Sequence, residues 1–257
     1  MDKIRFHEAC MTVRSGGRLI DGIGTLSEKT VHAILKNYFE PFTDSQEQKI
    51  GGFVADIAGE NGIIEIQTAD FGKMRKKLET FLSVSPVTIV HPVYSKTKIF
   101  RLSNETGEVI SKRVSPVKEN FYSVFPELYK IKSFLKNENL SFHFVMLEAD
   151  EYRISDAVNK PKRSRKSYAK FDRIPTEFID ELIIERPSDY LYYIPEELRS
   201  CEFTSRDLAA KAKINLSLAQ LALNILTYLN VTEKTGARNR YYLYKVSDQS
   251  LTTTEIL

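Results

Sequence analysis

Apolar positions recur at helical spacing along residues 27–39. Val31, Ile34, Leu35 and Tyr38 fall at i, i+3, i+4 and i+7, so this segment predicts an amphipathic helix. Ser27 is its expected N-cap, and Pro41 stops it soon after Phe39. Residues 49–68 change period. Two β-branched, apolar runs flank Gly59-Glu60-Asn61-Gly62, a strong short-range signal for a β-hairpin. Residues 69–83 return to helical spacing through Phe71, Met74, Leu78 and Phe81, with Lys73, Arg75, Lys76 and Lys77 on the remaining surface. A buried strand is expected over 86–93, a strand pair around 104–107, a helix over 120–135 and a strand over 141–147.

Beyond residue 173 the pattern predicts helices at 176–185 and 188–200. Phe178, Leu182, Leu191 and Leu198 are their apolar positions. Thr204 and Asp207 form a capping-box variant in which Asp replaces Glu or Gln, and Asn215 caps a longer apolar helix. Residues 231–246 read as two short strands around a loop containing Gly236. Helix, short turn, helix and hairpin make the winged variant of helix-turn-helix. The chain therefore divides into an α/β (α+β) layered unit over 1–158, a linker over 159–173 and a winged-helix unit over 174–257.

Composition narrows the setting. A length of 257 residues, 42% hydrophobic and 28% charged, suits one or two filled globular cores. No apolar run approaches the roughly 18–20 residues of a membrane span, and the start lacks a secretory layout. Two cysteines, Cys10 and Cys201, make no disulfide framework, and with His7 and His143 they make no zinc spacing. A reducing cytoplasm is the expected compartment. Net charge is only +3, but residues 160–170 read KPKRSRKSYAK with no acid among them. A solvated tether and a phosphate-contacting arm are both compatible with that run.

Candidate chemistry centres on the first hairpin. Glu65 and Gln67 lie two apart on one strand and leave the same face. A two-residue turn makes paired numbers sum to an odd value and brings Asp56 to that face; a three-residue loop sends it to the other. Carboxylates embedded among Phe53, Val54, Ile57, Ile63, Ile64 and Ile66 are costly to leave unpaired, and a hard divalent cation offsets that cost. The ordinary alternative has Asp56 capping the turn while Glu65 and Gln67 face solvent.

Asp56, eight residues, then Glu65-Ile66-Gln67 resembles the PD-(D/E)XK motif of restriction-endonuclease-like nucleases, with Gln in place of the Lys and Ala55 in place of the Pro. The residues 27–36, the EIQT strand, the basic helix, the VHP strand and the C-terminal wing also resemble a bacterial protein family with that order. The resemblance implies a restriction-endonuclease-like mixed sheet flanked by helices. It also implies a metal-dependent DNA endonuclease using Mg²⁺ or Mn²⁺. Asp56, Glu65 and Glu28 would be the metal ligands, and Glu28, Asp56, Glu65 and Gln67 the catalytic set. An amide is no base at neutral pH, so Gln67 orients water at most, and Lys36 or Lys77 is a substitute cation. The same departure supports the alternative of a catalytically inactive, DNA-binding or regulatory nuclease fold.

DNA, as a duplex, is the expected partner, and a homodimer is allowed. Lys36, Lys73, Lys76, Lys77, Arg101 and Arg113 are expected phosphate contacts, as are Lys234, Arg238 and Arg240 in the wing. Gln220 and Asn224 are candidate base readers. The predicted recognition helix holds no Arg or Lys, and winged helices also serve as protein-interaction modules. His32 reaches the carboxylate site or sits at the core border, and His91 reads as packing.

Overall fold

The computed structural model describes residues 2–15, 30–103, 105–155 and 168–247. Among them, seven strands form one mixed sheet in the order β1-β2-β3-β4-β6-β7, with β5 paired to β4. The strands are β1 (Gln46–Ile50), β2 (Phe53–Gly59), β3 (Gly62–Ile66), β4 (Val87–Leu102), β5 (Val109–Val114), β6 (Leu140–Ser155) and β7 (Tyr168–Ile184). β1, β2 and β3 are antiparallel to one another in turn, β3, β4 and β6 are mutually parallel, and β7 returns antiparallel to β6. The result is a large mixed α/β sheet flanked by helices.

The two hairpins at its start follow from glycine. Gly51 and Gly52 both take positive φ between Ile50 and Phe53, as a two-residue turn of the mirror-image kind requires. Gly59 pairs with Gly62, so Glu60-Asn61 is a two-residue turn and the cross-strand sums are odd. At Gly62, with φ of 113°, an added Cβ would stand 2.7 Å from the Pro86 carbonyl. Only glycine lets β3 enter the sheet there.

Two apolar layers cover the sheet. On one side α1 (Lys3–Val13) and α2 (Thr30–Phe39) pack Phe6, Ile34, Leu35 and Tyr38 against Ile57, Ile66, Val90, Val145 and Phe178. Phe6 meets Phe178 edge-to-face at 5.2 Å and Tyr38 at 5.9 Å, contacts worth about 0.5–1.5 kcal/mol each beyond burial. On the other side α3 (Arg75–Leu82), α4 (Phe125–Lys130) and the C-terminal helices share one continuous core. It runs from Leu78 and Phe81 through Phe125 and Tyr193 to Leu223 and Leu226.

The C-terminal segment consists of α5 (Glu196–Arg199), β8 (Phe203–Thr204), α6 (Ser205–Ala212), α7 (Leu216–Tyr228), β9 (Thr232–Arg238) and β10 (Tyr241–Val246). Its strands form a small sheet in the order β8-β10-β9. The Thr204–Asp207 capping box is present, and Asn215 accepts from the Leu218 amide as N-cap of α7.

Several expectations are corrected. Residues 176–185 are not a helix: 176–184 are the end of β7, paired with β6, and Glu185 follows the strand. The register slips between Met146 and Leu147, between Glu148 and Ala149, and between Tyr152 and Arg153, each time passing over one residue of β7. Such bulges break the two-residue alternation by which a strand is recognised, and they put Phe178 and Leu182, four apart, in opposite apolar layers. The division expected at residue 174 thus falls inside a paired strand, as do residues 168–173 of the expected linker. Residues 159–167 lie outside the described residues.

The helix expected over 188–200 is a 3₁₀ segment, Pro187–Tyr193, followed after Pro195 by α5. That over 120–135 is broken into Phe121–Val124, α4 and Lys132–Phe134. The two strands expected at 86–93 and 98–102 are one strand, β4. α1 and the polar strand β1 were not foreseen, since neither carries a full apolar stripe. Cys10 is buried, Cys201 is exposed, and both are free thiols. Among the described residues no helix is long and apolar enough to cross a membrane.

Candidate functional site

β2 and β3 pair normally from Gly59↔Gly62 to Ile57↔Ile64. One step further the two strands exchange side chains for backbone. The Asp56 amide donates to Glu65 Oε1 at 3.1 Å, and the Ile66 amide donates to Asp56 Oδ2 at 2.7 Å. Each carboxylate therefore holds the other strand's backbone, and both lie in the seam between the strands. A ladder would have used those amides; here they fix two acids.

Helices from both layers reach this seam. From α2, His32 Nε2 lies 3.1 Å from Asp56 Oδ2. From α3, Lys77 Nζ donates to Glu65 Oε2 at 2.5 Å. The order across the site is thus His32, Asp56, Glu65, Lys77. The Glu65 side chain is only 4% exposed, whereas His32, Asp56 and Lys77 are each near 20%.

The two acids titrate apart. Burial, then the neighbouring Asp56 charge, push the Glu65 carboxyl up to about 7, against the pull of Lys77 and the Asp56 amide. Burial also pushes Asp56 upward, but His32, the Ile66 amide and Lys77 together outweigh it and hold Asp56 below the ordinary carboxylate range. One acid thus holds its charge at neutral pH while its neighbour exchanges a proton there.

Gln67 does not join them. Its side-chain amide donates to the Ala69 and Asp70 carbonyls, closing the turn that leads into α3. Its own carbonyl meets His91 Nδ1 at 2.5 Å. His91 is buried edge-on against Phe71, and burial lowers its pKa, in keeping with a packing role. Glu28 lies outside the described residues, as does Ser27. Among the described residues no group of three or more His, Cys, Asp or Glu stands ready to hold a metal ion, so these residues supply two carboxylates of the expected three.

The expected phosphate contacts divide. Lys36 is corrected: it is 7% exposed and pairs at 2.9 Å with Glu47 of β1, a residue with φ of 53°. Lys77 is committed to Glu65, and Arg238 pairs with Asp207 at 2.8 Å. Lys73, Lys76, Arg113, Lys234 and Arg240 are exposed, and Arg101 is half-buried. Gln220 and Asn224 both face outward from α7, with Asn224 Oδ1 accepting from Lys132 at 2.8 Å.

Sequence reasoning missed a second buried charge group. Glu151, 2% exposed, binds Arg153 Nε at 2.7 Å and Arg173 Nε at 3.0 Å, and the Arg173 guanidinium lies 3.9 Å over the Tyr94 ring. Asp172 beside it accepts from the first amide of α2, at Thr30, at 3.3 Å. This group depends on β7 being a strand, so no local signal announced it.

Residues 29–185 match the family described as "Domain of unknown function (DUF8091)", and the chain belongs to that family. The match begins at α2 and ends with β7, and so contains His32, Asp56, Glu65 and Lys77 but not Glu28. A protein of Treponema pallidum (strain Nichols), named "Uncharacterized protein", is 31% identical over 149 residues, covering 58% of this chain and 57% of that protein. The matched region is thus a little over half the length of that relative. No solved structure matches.

Proposed function

We propose that this protein is a divalent-metal-dependent DNA endonuclease on a restriction-endonuclease-like sheet, with a C-terminal winged helix that contacts DNA. The observation that carries the reading is the Asp56–Glu65 clasp, supported by Lys77 at 2.5 Å from Glu65. The element order supports it too: α2, the antiparallel β1-β2-β3, the basic α3 and the parallel β4 follow the setting of the PD-(D/E)XK resemblance. For the winged helix, support comes from β8, α6, α7 and the β9–β10 hairpin in that order.

The donor set suits Mg²⁺ or Mn²⁺. Two hard carboxylates meet in one seam, and Glu65 is pushed up to about 7 partly by Asp56's charge, which a cation between them would relieve. Asp56 and Glu65 would hold the ion, with Glu28 or water in the remaining positions. When bound, such an ion supplies activation of water and stabilisation of charge on a phosphoryl oxygen.

The chain's own residues do the positioning. The Ile66 amide and His32 fix the Asp56 carboxylate, and the Asp56 amide fixes Glu65. Lys77 supplies the cation that the motif's third position lacks here, and reaches the site from α3 instead of β3. The test is cleavage of supercoiled, linear and branched DNA with and without Mg²⁺ or Mn²⁺. Metal-dependent nicking that Asp56→Ala abolishes is the expected result; no cleavage of any form, with DNA binding intact, overturns it.

The second reading, a catalytically silent nuclease fold that binds DNA, is favoured by Gln67, whose amide is spent on the Ala69 and Asp70 carbonyls. Under it Mg²⁺ leaves the melting temperature unchanged.

A further inference from the structure

The C-terminal segment carries a second site of different chemistry. Between α7 and the β9–β10 hairpin lies a cleft of about 520 Å³. Gln220 and Asn224 form its helix wall, Lys234, Arg240, Tyr241 and Tyr242 its hairpin wall. Its third side comes from the sheet unit: Lys132, in the 3₁₀ turn after α4, bonds Asn224 Oδ1 at 2.8 Å and lies 4.7 Å over the Tyr228 ring. Lys136 covers the same ring at 4.7 Å.

Three features define what fits. Three cations line the cleft, and no acidic residue among the described residues does. Tyrosines are its main apolar surface, and Tyr242 stays 57% exposed although Lys234 lies 3.7 Å over its ring. Cations interleaved with aromatic faces suit a planar base joined to phosphate. Finally, Lys132 and Lys136 stand over the C-terminal half of α7's outer stripe. A helix entering a duplex major groove presents that stripe freely. Here the space left beside it is a pocket of small-ligand size.

We propose that this cleft binds an unpaired nucleotide, its base stacked on Tyr242 and its phosphate held by Lys132, Lys234 and Arg240. The ligand is an unpaired nucleotide, whether in a single strand, extruded from a duplex or free, and not a paired one. The assignment rests on the nucleic-acid reading of the C-terminal segment but not on cleavage at Asp56 and Glu65.

The test is fluorescence anisotropy of the full chain, without metal, with a labelled oligothymidylate of about 12 nucleotides. Blunt duplex and free thymidine monophosphate serve as competitors. Single strand is expected to bind in a salt-sensitive way and to out-compete duplex. Tyr242→Ala should weaken it about tenfold or more, while Tyr242→Phe retains it. Arg240→Ala and Lys132→Ala, with unchanged melting temperatures, should each weaken it as well. Tighter binding of the oligonucleotide than of the monophosphate assigns the strand as source; equal binding assigns a free nucleotide, and both sustain the pocket.

Wild-type affinity in Tyr242→Ala and Arg240→Ala overturns the proposal, as does preference for duplex or the absence of binding. Asp56→Ala is the control that separates the two sites. It removes cleavage and keeps oligonucleotide binding if both readings hold. In the wild type, oligonucleotide binding without any cleavage removes the endonuclease reading alone, and cleavage without oligonucleotide binding removes the pocket alone.

Discussion

The carboxylate seam and the C-terminal cleft put charge to opposite use. In the seam every ionic group is spent internally: Asp56 on the Ile66 amide and His32, Glu65 on the Asp56 amide and Lys77. In the cleft Lys132, Lys234 and Arg240 line open space, and two of the three rest on tyrosine rings. A buried charge must be paired or it costs several kcal/mol, so the seam pairs its acids internally and Glu65 takes up a proton readily. Exposed cations cost almost nothing, and they respond to anions and to salt. The contrast teaches that the two regions should answer different reagents.

The largest effect that would sharpen this contrast is on activity. Under the proposed function Asp56→Asn lowers metal-dependent cleavage on the order of 10³-fold or more, measured by plasmid nicking, with oligonucleotide binding unchanged. Residual cleavage near the wild-type rate would remove Asp56 from the site.

Next is stability against pH. Glu65 is neutral more readily in the folded chain than in the unfolded one, so the unfolded chain loses this proton first as pH rises. Stability from this group is complete below its ordinary value near 4.5 and declines as pH climbs to about 7. Glu65→Gln, which cannot ionise, should therefore melt higher than wild type at pH 8 and similarly at pH 4. A rise from 4.5 to about 7 corresponds to about 3 kcal/mol, with the pull of Lys77 already included. Asp56 acts in the opposite sense. Held below its ordinary value, it contributes stability above pH about 3.8 that is lost as pH falls, so Asp56→Asn should cost most near neutrality.

Metal linkage follows with a smaller effect. Under the proposed function, an ion held by the two carboxylates would compete with the Glu65 proton, so the Mg²⁺-dependent rise in melting temperature should be larger at pH 8 than at pH 6. A rise independent of pH would detach the ion from Glu65. The smallest change is expected for His32→Gln, which keeps a hydrogen-bond donor to Asp56 but not a cation. Cleavage should fall only about tenfold, with its acid limb moved to higher pH.

Much of the seam was legible in the chain. The Gly59–Gly62 segment announced a hairpin but left its turn length open; the structure gives a two-residue turn, the odd-sum case that brings Asp56 to Glu65. The α2 stripe of Val31, Ile34, Leu35 and Tyr38 is buried as its spacing requires. Other parts were hidden for definite reasons. β7 carries three register slips, and each displaces the alternation by which a strand is recognised. Gln67 was linked with Glu65 because a strand sends i and i+2 to one face. β3 ends at Ile66, however, and the following turn takes the Gln67 amide for its own carbonyls.

By itself the sequence determined the local devices: glycine turns, helix caps, apolar stripes and the spacing from Asp56 to Glu65. These depend on backbone geometry over a few residues, where the chemistry of the neighbours is already written. Tertiary structure alone decided which cation meets which acid. Lys36 and Lys77 are equally plausible along the chain, yet α2 turns the first toward Glu47 while α3 lays the second on Glu65. It also brought Lys132 to α7 across 92 residues. Such pairings are set by how helices pack on a twisted sheet, and that packing depends on every apolar side chain in both layers at once.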